Sequence, residues 1–274
     1  MHRIFVIIIV FSFIVFSNCQ NADNEAVSNG IESGNCGSSD YFIYATLWYQ
    51  SSAEMRASYY QAFNLAKIAL KNNLSEYEGK KPPAIVLDLD ETILDNSYYQ
   101  ADLIFNEDTY SLETWKQWTD LECAQALPGA VDFLKYAVST GVEIFYVSNR
   151  RLSEIESTFS NIRKLGFPEI PIENYIFRAD ESSKIIRRDI VRENYEIILL
   201  LGDNLNDFAG IFEDRTVNNG FDAVDNNKEL FGTKYIVFPN PMYGEWEGAI
   251  YENKELTPQQ NRLKTLKGIN YICK

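Results

Sequence analysis

Four aspartates stand at spacings that could carry a reaction: Asp88 and Asp90, then Asp203 and Asp207. The first pair lies in Asp88-Leu-Asp90-Glu-Thr92, directly after the apolar run Ala84-Ile-Val-Leu87. The second lies in Gly202-Asp203-Asn-Leu-Asn-Asp207, directly after Ile197-Ile-Leu-Leu-Leu201. In an extended chain, residues two apart leave the backbone on the same side, so Asp88 and Asp90 are expected to project together. Carboxylates held that close repel and raise one another's pKa unless a cation lies beside them. A hard divalent ion with oxygen ligands, Mg²⁺, answers that crowding. The chemistry suggested is metal-assisted hydrolysis of a phosphate ester.

The aspartates need elements that bring them to one place. Short apolar runs bounded by turn residues read as buried strands at Ala84–Leu87, Val142–Val147, Glu196–Leu201 and Tyr235–Phe238, with a shorter one near Tyr175. Helical spacing lies between them. Residues 41–71 give one or two helices, Pro128-Gly129 opens another that stops at Thr140-Gly141, and Ser153 is expected to cap a helix ending at Gly166. A further helix follows Lys184. Strands alternating with helices imply an α/β fold with a parallel sheet flanked by helices. Ligands of such sheets bind at the carboxyl ends of the strands. There Asp88, Asp90, Ser148, Asn149, Asp203 and Asp207 would converge. Asp is also common after strands as a turn or capping residue, and Lys184 alone reads equally well as a solvated helix start. Three strand ends converging, with Lys184 between the second and third, are what point to a site.

Residues 97–127 break this alternation. Tyr98, Tyr99, Phe105, Tyr110, Trp115 and Trp118 sit among polar residues with little periodicity beyond a helix expected over Leu112–Ala124. An insertion directly after the first acidic turn suits either a cap over the site or a packed surface subdomain.

The formal charge of −14 and the absence of any Lys/Arg block argue against a nucleic-acid polymer as partner. An anionic substrate would be repelled globally, so a phosphate site needs a local cation. The single histidine is His2, in the apparent targeting segment, which excludes histidine-based nucleophilic and zinc chemistries from the mature chain. Residues 1–18 have a basic start and an apolar stretch too short to span a membrane comfortably, the pattern of a secretory signal peptide. Phe16-Ser17-Asn18-Cys19 resembles a bacterial lipobox, which would make Cys19 the lipidated residue of an outer-membrane or cell-surface lipoprotein. Ordinary secretion, periplasmic or soluble, is the alternative. Residues 19–40, rich in Asn, Ser, Gly and acid, read as a flexible tether before a domain over 41–274. Cys36, Cys123 and Cys273 admit one disulfide, most simply Cys36 to Cys273.

The phrases Asp88-Leu-Asp-Glu-Thr-Ile-Leu-Asp-Asn-Ser97, Val147-Ser-Asn-Arg150, Gly202 to Phe208 and Pro239-Asn-Pro-Met-Tyr-Gly244 together resemble the bacterial class C acid phosphatases of the haloacid-dehalogenase (HAD) superfamily. The resemblance runs from about Tyr41 to the C-terminus and implies a HAD-like, Rossmann-type sheet with a small, mainly helical cap. It implies a Mg²⁺-dependent phosphomonoesterase, acid phosphatase or 5′-nucleotidase in type. Asp88 would be the nucleophile and Asp90 the proton carrier. Ser148, Asn149 and Lys184 would hold the phosphoryl group. The metal would take Asp88, the Asp90 carbonyl and Asp203, with Asp207 orienting its waters. Trp115 and Tyr243 would sandwich the flat ring of a nucleotide, Trp118 competing with Trp115 for that place. Thr92 would support the turn, and Asp95 and Arg187 would be structural or would hold the binding residues from behind. Phosphotransfer to another alcohol, and a non-catalytic surface binding or storage lipoprotein, are the competing readings. An oligomer is compatible with all of them.

Overall fold

The structure is a computed structural model that describes residues 40–251 and 255–268. The leader, Cys19, the tether up to residue 39, Cys36 and Cys273 lie outside the described residues. Cys123 is exposed and free.

Two helices, α1 (Asp40–Ser51) and α2 (Ala53–Ser75), precede the first strand. Ser52 separates them, and its hydroxyl accepts the N–H of Met55 as the cap of α2, a contact worth about 1 kcal/mol. Strand β1 (Pro83–Leu87) is followed by the two-residue β2 (Leu94–Asp95), α3 (Ser97–Phe105), α4 (Leu112–Asp120) and β3 (Gln125–Ala126). Then come α5 (Ala130–Ser139), β4 (Glu143–Arg151), α6 (Ile155–Lys164), β5 (Tyr175–Arg178), α7 (Ile185–Asn194) and β6 (Glu196–Gly202). The remainder is α8 (Phe221–Asn226), β7 (Tyr235–Val237), α9 (Glu245–Gly248) and α10 (Pro258–Thr265), with short 3₁₀ turns between.

Strands β5-β4-β1-β6-β7 form one sheet in that order, every neighbouring pair parallel. The central strand is therefore β1, which leads directly into Asp88, and β4 and β6 flank it. Both faces are apolar. One carries Tyr59, Phe63, Leu70, Phe133 and Phe238 with Ile85 and Leu87. The other carries Val86, Phe145, Leu200, Phe208 and Phe212. Burial on both faces explains why the strands read as continuous apolar runs rather than alternating ones.

Antiparallel pairing of β2 with β3 closes the base of the insertion between them. Three details differ from the sequence reading. Ser97–Phe105 is a helix, although its aromatic and polar residues carry little 3.6 periodicity; only Ser97 and Tyr99 of it are buried. Helix α4 stops at Asp120, short of Ala124. Ser153 is not the cap of α6: it lies inside a 3₁₀ turn, and the Glu154 carboxylate accepts the Arg151 N–H instead. Gly166 (φ 76°) does end the α6 segment in a left-handed turn.

Candidate active site

Strand β1 ends at Leu87, so Asp88 is the first residue past the sheet's central strand and Asp90 already belongs to the turn. The two carboxylates take different partners. Asp88 Oδ1 lies 2.6 Å from Lys184 Nζ. Asp90 pairs instead with the buried Arg150, whose Nη2 and Nε donate to its Oδ1 at 2.8 and 3.0 Å. The turn between them runs through Glu91 at φ 54°, a left-handed conformation unusual outside glycine. Leu89 O anchors it by accepting the N–H groups of Ile93 and Leu94, each at 2.9 Å.

Strand β6 delivers the second pair. One carboxylate oxygen from each of Asp88, Asp203 and Asp207 lies within 4.8 Å of the others. Asp207 folds back over Gly202, where a Cβ would meet its Oδ2 at 2.3 Å. Glycine is the residue that permits this approach. Asp207 Oδ2 accepts the Asn204 N–H at 3.0 Å, and its Oδ1 lies 2.6 Å from Lys184 Nζ. Asp203 Oδ2 accepts from Asn240 Nδ2 at 2.8 Å. The same amide's oxygen accepts the N–H of Met242 at 3.0 Å and of Tyr243 at 3.4 Å, so one side chain ties an acidic-site residue to the turn carrying Tyr243.

These groups are titrationally strained. Burial, with Asp207 and Asp90 nearby, pushes Asp88 up to about 7 against the opposing pull of Lys184. Burial, with Asp207 and Asp88 nearby, raises Asp203 well above the usual carboxylate range. One ammonium cannot neutralise three carboxylates, two of them buried and Asp203 half-buried. The donor set is all hard oxygen, convergent and short of positive charge, which fits a divalent cation such as Mg²⁺.

Ser148 and Asn149 lie inside the β4 extended segment rather than beyond it, at the same sheet edge as Asp88. Ser148 is buried and its Oγ accepts the N–H of Arg150 at 3.0 Å, leaving the hydroxyl proton to donate elsewhere. Arg187 fixes this segment: it donates to the Ser148 carbonyl and, at 2.6 Å, to Asn149 Oδ1, and it also bonds Ser182 O and Ser183 O. Burial lowers its pKa to about 10, which leaves it cationic at neutral pH.

Trp115 is only 9% exposed. Tyr99 meets it edge-on at 5.2 Å, Tyr110 lies at 6.2 Å, and the Arg150 guanidinium stands 5.7 Å from its ring centre. In this arrangement it packs within the insertion with little of its ring exposed. Trp118 is half-buried and its Nε1 donates to Asn96 Oδ1 at 2.8 Å. Tyr243 is half-buried against the core. The Thr92 hydroxyl is buried with no hydrogen-bond partner, so that residue supports the turn through its backbone N–H to Leu89 O.

The sequence reading missed the roles of Asn96, Arg150 and Asn240. All three stood inside the quoted phrases; what hid them was that each acts on another side chain rather than at a strand end.

Known proteins share this fold. Two solved structures of the class C acid phosphatase from Bacillus anthracis, one with tungstate bound, share 40% identity with the chain. They cover 84% of it and 98% of their own length, with TM-scores of 0.79 and 0.78. The 31 kDa and 28 kDa stem glycoproteins of Glycine max are 24% identical over 179 and 132 residues, 62% and 46% of this chain. The chain spans 62% and 52% of the lengths of those two relatives. The family model described as HAD superfamily, subfamily IIIB (acid phosphatase) matches residues 14–246. With that match over most of its length, the chain belongs to the acid phosphatases of HAD subfamily IIIB.

Proposed function

We propose that the protein is a Mg²⁺-dependent phosphomonoesterase that works through an aspartyl-phosphate on Asp88. The observation that carries this reading is the meeting of Asp88, Asp203 and Asp207 within 4.8 Å, with the Lys184 ammonium 2.6 Å from two of them. Phosphoryl transfer needs an ionised nucleophile and cations that offset the charge of the transferred group. Asp88 supplies the nucleophile. Lys184, the Ser148 hydroxyl and the Asn149 N–H hold phosphoryl oxygens, and Arg187 keeps the last two in place. Asp90 gives a proton to the leaving oxygen and later takes one from water.

Asp88, the carbonyl of Asp90 and Asp203 would hold Mg²⁺, with Asp207 orienting its waters. The bound ion would neutralise the carboxylates and polarise the phosphoryl oxygens. The tungstate of the Bacillus anthracis structure, a tetrahedral oxyanion, supports a phosphoryl-shaped site.

Helices α3 and α4 act as a cap over residues 97–127. Flat-ring recognition falls to Tyr243, so nucleoside monophosphates and aryl phosphates are the substrate class. The enzyme acts outside the cytoplasm, anchored through lipid on Cys19.

The test is phosphate release from a chromogenic phosphomonoester. Activity is expected with Mg²⁺ and none after chelation, with recovery on adding Mg²⁺. Hydrolysis undiminished by chelation would refute the metal assignment. A mass measurement of the mature N-terminus checks the anchor.

A further inference from the structure

Asp90 is held in an unusual way for a group that must exchange a proton. Its Oδ1 takes three donors: Arg150 Nη2 at 2.8 Å, Asn96 Nδ2 at 2.9 Å and Arg150 Nε at 3.0 Å. Its Oδ2 takes only the longer branch from Arg150 Nε, at 3.2 Å. A carboxylate oxygen has about two lone-pair sites, so Oδ1 is saturated and Oδ2 is not. The Arg150 side chain is 1% exposed and that of Asp90 is 16% exposed, so within this pair a ligand reaches the carboxylate.

Both holders are themselves fixed from outside the sheet. Arg150 Nη1 donates to Thr158 Oγ1 at 2.9 Å, and Trp115 lies against its guanidinium. Asn96 gives its backbone N–H to Glu91 Oε1 at 2.7 Å. Its amide orientation follows from Trp118, because an indole N–H can only donate. Asn96 Oδ1 must therefore face Trp118 Nε1, 2.8 Å away, and Nδ2 must face Asp90. The flipped amide would set two oxygens against each other.

We propose that Arg150 and Asn96 are positioning residues that occupy Oδ1 of Asp90 and present Oδ2 to the leaving group, with Trp118 of the insertion locking the Asn96 amide. The inference rests on the reading of Asp90 as proton carrier. In the step concerned, an Asp88 carboxylate oxygen forms a bond to phosphorus while the bond from phosphorus to the leaving oxygen breaks. The leaving oxygen keeps that electron pair and takes the proton from Asp90 Oδ2. Asp90 is left as a carboxylate facing Arg150. Proton delivery thus depends on a residue of α4 that need not touch the phosphoryl group.

The experiment compares kcat/KM for a simple alkyl phosphate and for 2,4-dinitrophenyl phosphate in the full chain. An alkoxide needs a proton to leave, whereas dinitrophenolate does not. Asp90→Asn is expected to lose about 10²-fold more on the alkyl ester than on the aryl ester. Asn96→Leu and Trp118→Phe are each expected to lose about tenfold more on the alkyl ester, the scale of one hydrogen bond. Trp118→Phe keeps an aromatic ring in the insertion, so it remains informative if Asn96→Leu folds poorly. Selective loss in Asp90→Asn with equal losses on both esters in Asn96→Leu and Trp118→Phe would overturn the positioning role. A larger loss on the aryl ester in Trp118→Phe would overturn it too, making that residue a ring-stacking one. Equal losses in Asp90→Asn would overturn the proton-carrier reading on which the inference stands.

Discussion

The Nζ of Lys184 stands 2.6 Å from Oδ1 of Asp88, although 96 residues separate them. The same ammonium is 2.6 Å from Oδ1 of Asp207, and all three side chains are buried. Lys184 is therefore no solvated helix start, the alternative its sequence context allowed. It sits at the N-cap of α7 and points its charge inward.

Replacing that ammonium exposes the imbalance it offsets. Lys184→Met is expected to destabilise the chelated protein by about 3–5 kcal/mol at neutral pH and above, the cost of leaving buried charges unpaired. At pH 5 the loss should be smaller, because the carboxylates can protonate instead. Urea melts at the two pH values check this, and a phosphatase assay should show a loss of at least about 10²-fold.

Asp88→Asn removes the nucleophile while keeping the side chain's shape. A loss of kcat/KM of about 10³-fold or more is expected, measured with an aryl phosphate and saturating Mg²⁺. Near-normal turnover in this variant would end the aspartyl-phosphate reading.

The raised carboxyl pKa values set a direction for stability against pH. A carboxyl whose folded pKa exceeds its unfolded one binds more protons in the folded state, so its contribution is present below the unfolded pKa and lost as pH rises through the folded one. For Asp88, raised from 3.8 to about 7, that window runs between those two values. Asp203 shifts in the same direction. The chelated protein should lose stability with rising pH at up to about 1.4 kcal/mol per unit for each such group. Asp88→Asn should flatten the slope, and thermal melts from pH 4 to pH 8 measure it.

Trp115→Ala and Tyr243→Ala should behave differently. With its ring packed among Tyr99, Tyr110 and Arg150, Trp115 should cost a nucleotide and a small aliphatic phosphate equally when truncated. Tyr243→Ala should cost the nucleotide more, by about 1–3 kcal/mol if one base stacks on it. Kinetics of both variants on both substrates decide the matter.

The sheet and the strand-end residues were legible in the sequence because each rests on a local signal: an apolar run, a following acid, a glycine stop. Asp88, Asp203, Asp207 and Lys184 could be placed at one edge from topology alone. The failures were of another kind. Helix α3 carries no amphipathic pattern, since only its first turn is buried. The packing of Trp115 against Tyr99 and Arg150 joins separate segments, and spacing does not encode it. Asn96, Arg150 and Asn240 act by hydrogen bonds to side chains distant in sequence or across a turn, which no periodicity records.

Helix α2, 23 residues and about 35 Å long, is fastened near both ends. The Tyr59 hydroxyl, shared with that of Tyr49, donates to the carbonyl of Glu91 in the acidic turn. Near the other end, Asn73 Nδ2 donates to Ile198 O at 2.8 Å and to Thr233 O at 2.9 Å. Phe63, Ala66 and Leu70 are buried in the core between these points. The linker from Glu76 to Pro82 is mostly exposed, Lys80 and Lys81 included, and the contacts of Lys81 with Arg192 O and of Pro82 O with the Glu196 N–H lie on the β1 side of Lys80. Covalent continuity between α2 and β1 is therefore dispensable once the chain has folded. A tryptic cut after Lys80, the cleavable bond here because Lys81 precedes Pro82, should yield two pieces that stay together on gel filtration and part only in denaturant.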